Sequence, residues 1–150
     1  MRQSAPLDLQ FTRLPHANGL PVPSRQTEGA AGYDIVAAQE IVFQPMDRKL
    51  VPTGFCLAIP AGYECQIRPR SGLAFKHGMT LPNTPATIDS DYRGEIQVPM
   101  VNLDKEPFTV TRGMRIAQLV FAKVEVAEFR EVKELPVTGR GAGGFGSTGR

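Results

Sequence analysis

FCLAIPAGYECQIRP, residues 55–69, decides the fold class. Phe55, Leu57 and Ile59 alternate with Cys56 and Ala58, Pro60-Ala61-Gly62 carries turn chemistry, and Tyr63, Cys65 and Ile67 alternate with Glu64, Gln66 and Arg68. Successive side chains of a strand point to opposite faces, so this period of two buries one face of each run and leaves the other wet. The segment predicts a β-hairpin. The same period returns at Ile96, Val98 and Met100, at Phe108 and Val110, and at Ile116, Gln118 and Val120, with breakers such as Arg112-Gly113 between runs. No long stretch keeps a helical period, and no internal repeat is present. Many short strands then predict a nearly all-β chain, a sandwich or distorted jelly roll.

One short helix is expected, with Ser71 as its cap, Gly72 to His77 as its turns and Gly78 as the left-handed residue that ends it. From Gly139 onward the composition changes: GRGAGGFGSTGR holds six glycines in twelve residues and one aromatic, Phe145. Such a stretch buries too little apolar area to offset its backbone entropy. The expected division is therefore a β-rich domain over residues 1–138 and a flexible arm over 139–150.

The chain has 150 residues with 17 Lys+Arg against 15 Asp+Glu, a formal charge of +2. That length suits one domain with a conventional core, which needs neither disulfide nor metal staples. The small charge argues against nucleic acid as a partner, because such affinity comes mainly from neutralising phosphates along a basic face. A nucleotide-sized anion is still compatible. The opening MRQSAPLDLQF lacks the continuous apolar run of a signal peptide, and no stretch is long and apolar enough to cross a membrane. A cytoplasmic protein is expected, with Cys56 and Cys65 as reduced core thiols. His16 and His77 lie far apart in sequence, so no zinc-type cluster or Ser–His or Cys–His pair suggests itself.

Three segments could carry chemistry. In PRSGLAFKHG, residues 69–78, Arg70 and the Ser71 hydroxyl stand at the start of the expected helix, where free backbone N–H groups favour an anion. A solvated arginine beside a plain helix cap explains the same letters. In NTPATIDSDYRGEI, residues 83–96, Asp89-Ser90-Asp91 suggests a calcium loop, but the fifth position is Arg93 and the twelfth Met100, where a bidentate Glu is required. What is left is either an acidic surface turn or a hairpin whose carboxylate, aromatic and amide hold a water, a sugar and a base. The glycine-rich end lacks the Lys-Ser/Thr of a P-loop. Arg140, Ser147 and Thr148 can nevertheless donate to phosphate while Phe145 offers a stacking face, as a lid over a nucleotide needs. Asp34 in AAGYDIVAA and Gln118 in RGMRIAQLVF are polar groups in apolar runs, which burial obliges to find partners.

Taken in order, AGYDI, PRSGLAFKHG, the stretch from Asn83 to Ile96, RGMRIAQLVF and RGAGGFGSTG resemble the segments of the trimeric dUTPase family, over a span from about Ala30 to Gly149. The resemblance implies a jelly-roll-like subunit in a homotrimer, with active sites assembled from all three chains. It implies Mg²⁺-assisted hydrolysis of dUTP to dUMP and pyrophosphate, which lowers dUTP and supplies dUMP for thymidylate synthesis. Asp89 is then the general base for water attacking the α-phosphorus. Tyr92 packs against the deoxyribose and excludes a 2′-hydroxyl, while Asn83 and the backbone of its hairpin read the uracil edge. By the same resemblance Gly72 and Thr87 belong to the substrate site; Arg70, Ser71 and Gln118 contact the polyphosphate; and Asp34 holds the magnesium through water instead of ligating it. Arg140, Ser147 and Thr148 close on the terminal phosphate with Phe145 over the base, and Gly146 between them belongs to the substrate site. One departure is Ala86, where the family usually has glycine in the hairpin turn near the base; its Cβ is expected to lower uracil affinity. Two other readings compete: a dCTP deaminase-like enzyme on the same fold, and a catalytically idle β-domain that binds a nucleotide or a protein.

Overall fold

The computed structural model describes residues 4–149. Among the described residues all is β apart from one helix and one 3-10 turn, and three antiparallel sheets share the strands. The first sheet orders β1 (Gln10–Arg13), β4 (Arg48–Ala58), β8 (Glu95–Asn102) and β6 (Met79–Thr80) side by side. The second orders β2 (Tyr33–Val36), β10 (Arg115–Lys123), β5 (Tyr63–Pro69) and β7 (Ala86–Ile88). A small third sheet pairs β3 (Ile41–Phe43) with β9 (Phe108–Val110).

The alternation read from the sequence holds for most strands. Phe55, Leu57, Ile59, Cys65 and Ile67 are buried, as are Ile96, Val98, Met100 and Val110, and all belong to one apolar cluster fed by both larger sheets. Each large side chain so buried is worth about 1.5–3 kcal/mol relative to exposure. Two buried polar side chains are both satisfied: the Thr53 hydroxyl donates to Ile96 O at 2.6 Å, and the Asn102 amide donates to Phe43 O and Glu106 O while accepting from Asp104 N–H.

The pairing, however, is not what local sequence predicted. Residues 55–69 form no hairpin, because β4 pairs with β1 and β8 while β5 pairs with β10 and β7. Pro60-Ala61-Gly62 carries the chain from one sheet to the other. The segment 83–96 behaves in the same way: β7 joins β5, and β8 joins β4 and β6. Both expected hairpins are therefore corners of a sandwich. Cys56 and Cys65 sit on strands of different sheets, and both are free thiols. Burial, with help from the charge of Glu64, pushes the Cys65 thiol up to about 12.

Three smaller expectations also need correction. The pairing of β10 with β2 shifts register between Arg115 and Ala117, so Ile116, Ala117 and Leu119 are buried whereas Gln118 and Val120 fall on the other, half-buried face. Ser71 does not cap the helix α1 (Ser71–His77); Arg70 stands at the cap position, without a side-chain bond, and Ser71 is the first helical residue. Gly78 ends the helix in the left-handed conformation, φ 64°, as expected. Ala86 lies not in a turn but at the start of β7, where it is buried opposite Ile67. Beyond Lys123 the chain leaves the sheets, and Val126, Phe129, Leu135 and Val137 are exposed.

Candidate active site

At the corner between β7 and β8 lies an open cleft of about 440 Å³ lined by Asn83, Ala86, Thr87, Asp89, Tyr92 and Glu95, with Ile67, Leu50 and Pro99 among its apolar walls. The strand β7 is held by β5 through Gln66 opposite Thr87 and Cys65 opposite Ile88. Ile88 points into the core, so alternation turns Thr87 and Asp89 outward to the cleft. A turn follows, closed by Tyr92 N–H donating to Asp89 O at 3.2 Å and by Arg93 Nη1 donating to Ser90 O at 2.6 Å. The Tyr92 hydroxyl donates to Glu95 O at 2.9 Å, which fixes the ring across the mouth of the corner. Asp89 is exposed, as is the carboxamide-bearing Asn83. A carboxylate free to meet water, an amide and an aromatic face thus share one cavity.

A second group sits where β2, β10 and β5 run side by side. Gln118 lies opposite Asp34 on one flank and Arg68 on the other. Its amide donates to Pro69 O at 3.1 Å. Arg115 Nη1 donates to Asp34 Oδ2 at 3.1 Å, Arg70 Nε lies 3.8 Å from Asp34 Oδ1, and Arg70 Nη1 donates to Arg115 O at 3.3 Å. One carboxylate between two guanidiniums leaves a surplus of positive charge, which suits phosphate. Ser71 and Gly72 open the helix beside it and are exposed. None of these residues lines the Asp89 cleft. The third group stays apart from both: Arg140 Nε bonds only to Gly143 O within the arm, at 2.8 Å, and the Phe145 side chain is fully exposed with φ 51°. Ser147 and Thr148 are exposed beyond it.

Within one chain, then, four of the expected residues meet in the cleft, those of the polyphosphate group gather on the second sheet, and the arm stands by itself. Sequence reasoning missed Arg115 and Glu95. Arg115 follows only two residues after Gly113 in the quoted RGMRIAQLVF, and the need of the semi-buried Asp34 for a cation was the signal that could have found it. Among the described residues no three His, Cys, Asp or Glu side chains gather as a metal cage. No helix among them is long and apolar enough to cross a membrane.

These features define a class: an all-β domain with an acid-edged cleft at a sheet corner and a cationic sheet surface suited to phosphate. The dUTPase family model matches residues 18–149. The deoxyuridine 5′-triphosphate nucleotidohydrolase of Zymomonas mobilis is 56% identical over 143 residues, 95% of this chain and 98% of that one. The enzyme of the same name from Rhizobium meliloti is 58% identical over 145 residues, covering 94% of this chain and 91% of its own. Among solved structures, the Staphylococcus bacteriophage 80alpha dUTPase with dUpNHpp superimposes with a TM-score of 0.85 at 27% identity, covering 95% of this chain and 99% of the phage chain. The chain belongs to the dUTPase family.

Proposed function

We propose that the chain hydrolyses dUTP to dUMP and pyrophosphate, with Asp89 as the general base. The observation that carries this reading is the single cleft that collects Asp89, Asn83, Thr87 and Tyr92 at the β7–β8 corner. Membership of the dUTPase family and the high identity to nucleotidohydrolases over nearly the whole chain support the same activity.

Asp89 is exposed to water and carries no salt bridge among the described residues, so its carboxylate is available to accept a proton. As a water oxygen attacks the α-phosphorus in line, Asp89 takes its proton; the bond from that phosphorus to the bridging oxygen breaks and pyrophosphate leaves. Tyr92, held by its bond to Glu95 O, closes the sugar end against a 2′-hydroxyl. Asn83 and the β7 backbone read the uracil edge. Ala86 gives no reason to expect weak uracil binding through backbone strain, since it lies in a regular strand and its φ is not positive.

Arg70, Ser71, Gly72 and Gln118 hold the polyphosphate, and Arg140, Gly146, Ser147 and Thr148 close on its end while Phe145 covers the base. Because these groups do not line the Asp89 cleft of their own chain, the reading has neighbouring chains complete each site, in the homotrimer that the family resemblance implies. Among the described residues no carboxylate cage forms, which fits a Mg²⁺ carried by the triphosphate that Asp34 would hold through water. When bound, the ion neutralises phosphate charge and favours one triphosphate conformer.

The decisive assay measures pyrophosphate release from dUTP, UTP, dTTP and dCTP, with and without Mg²⁺. Selective release from dUTP is expected. Ammonia from dCTP would indicate a deaminase, and binding without turnover an idle domain.

A further inference from the structure

The pairing of β4 with β8 is interrupted beside the cleft. Register runs regularly from Arg48 opposite Val101 to Pro52 opposite Gln97, then jumps to Cys56 opposite Glu95. An irregularity of this kind leaves backbone donors and acceptors without ladder partners. Side chains take over here: the Thr53 hydroxyl donates to Ile96 O, and Glu95 Oε1 accepts from Gly54 N–H at 3.3 Å. Gly54 has φ 74°, and a Cβ on it would overlap the Ala17 methyl, so the 3-10 turn Pro15–Ala17 packs directly against the irregular stretch. That turn is itself fastened. Leu14 N–H donates to Gly54 O at 2.8 Å, and Arg112 Nη2 donates to His16 O and Asn18 O at 3.1 and 2.7 Å.

His16 uses this rigid seat to reach Glu95. Its Nε2 lies 2.7 Å from Glu95 Oε1, the same oxygen that receives Gly54 N–H. The main-chain carbonyl of Glu95 in turn accepts the Tyr92 hydroxyl. The fit around that hydroxyl is close, since a Cβ on Gly94 would lie 2.5 Å from it. An unbroken chain of contacts therefore runs from a residue near the N-terminus to the aromatic ring at the cleft mouth.

We propose that His16 and Glu95 are positioning residues that hold the Tyr92 ring in place and so set the preference for a deoxyribose over a ribose nucleotide. This rests on the sugar-facing role assigned to Tyr92 above. Loss of the His16 contact leaves the Glu95 side chain held only by the longer bond from Gly54 N–H, which loosens the first residue of β8 and lets its carbonyl, with the tyrosine, move away from the sugar. A 2′-hydroxyl is then admitted more readily, whereas the phosphate chemistry at Asp89 is untouched.

The test compares kcat/KM for dUTP and UTP in the full-length protein and in His16→Ala, Glu95→Ala, Tyr92→Phe and the His16→Ala/Tyr92→Phe double variant. Each single substitution is expected to lower the dUTP-to-UTP preference by about five- to tenfold, and the double variant to lower it no further than Tyr92→Phe alone, as coupled residues do. Glu95→Gln keeps an accepting oxygen for both N–H groups and should hold the preference within about twofold. It also serves as the reporter should Glu95→Ala fail to fold. A merely structural role would reduce both substrates alike; an unchanged preference in His16→Ala and Glu95→Ala overturns the proposal, as do independent effects of His16 and Tyr92. Tyr92→Ala separates the two levels: if it abolishes the preference while His16→Ala does not alter it, only the brace falls, and if it too leaves the preference unchanged, the role of Tyr92 falls first and the brace with it.

Discussion

Asp89 owes its place to two local facts, the alternation of β7 that turns it away from buried Ile88 and the turn that follows at Tyr92. Replacing it with Asn preserves the shape of the cleft but removes the proton acceptor, so kcat for dUTP should fall about 10²–10⁴-fold with KM little changed. Steady-state kinetics beside a nucleotide-binding titration checks this, and full turnover in the variant would exclude a base at this position. The carboxylate, the amide and the aromatic were legible because they lie within ten residues of one another, from Asn83 to Tyr92. The His16–Glu95 pair was not, since 79 residues separate its members and only the fold brings them together. Cys65 allows a separate check at this scale. Its folded-state value is raised from 9.0 to about 12 by burial, so the neutral thiol's contribution to stability is complete below about pH 9 and is lost as pH rises toward 12. Native protein at pH 8 should therefore expose half-buried Cys56 to a thiol reagent while Cys65 labels only on unfolding. Equal labelling rates would contradict the packing.

Elements were legible wherever a period of two ran on, as in the second half of β4, in β5 and in most of β8, because burial of alternate side chains leaves that trace in the letters. Partners were not legible. A Pro-Ala-Gly turn makes a hairpin or a sandwich corner equally well, and the choice between them is set by β1, β8 and β10, which lie far away in sequence. In β10 a register shift moves Gln118 to the face opposite Ile116, which no local pattern announces. The glycine-rich string from Gly139 has little to bury, and among the described residues its hydrogen bonds run within its own turns and to Thr138. Removing residues 139–150 should accordingly leave the thermal midpoint within about 2 °C of the full-length value, because surface changes away from packed features cost little stability. kcat/KM for dUTP should fall by about two orders of magnitude or more, as expected when a closing segment and its phosphate donors are lost. A collapse of the melting transition would instead make the arm a part of the core.

At the scale of the whole molecule the difficulty is that the residues proposed for the site do not gather in one place within a single chain. Asp89 lines one cleft, Arg70 and Gln118 gather elsewhere, and Phe145 hangs in solvent with Val126, Phe129, Leu135 and Val137 exposed before it. Large apolar side chains left bare in succession ask for a covering surface, which a second copy of the chain would supply in the proposed homotrimer. The proposed homotrimer thus predicts a particle of three times 16.3 kDa by light scattering. A sharper consequence concerns mixtures. On the proposed roles Asp89→Asn protein has a sound arm and no base, whereas protein truncated after Thr138 has a base and no arm, so each alone should keep only about a hundredth of the full activity or less. If a site draws its base and its arm from different chains, unfolding and refolding the two together at equal amounts gives random assemblies in which about a quarter of the sites combine both sound parts. Activity should return to about that fraction of the full-length value, flat across enzyme concentrations at which the assembly is intact. A site made by one chain's own base and own arm could never be rescued in this way, and a mixture that stayed inactive after demonstrated subunit exchange would require the arm to fold back on the chain that carries it.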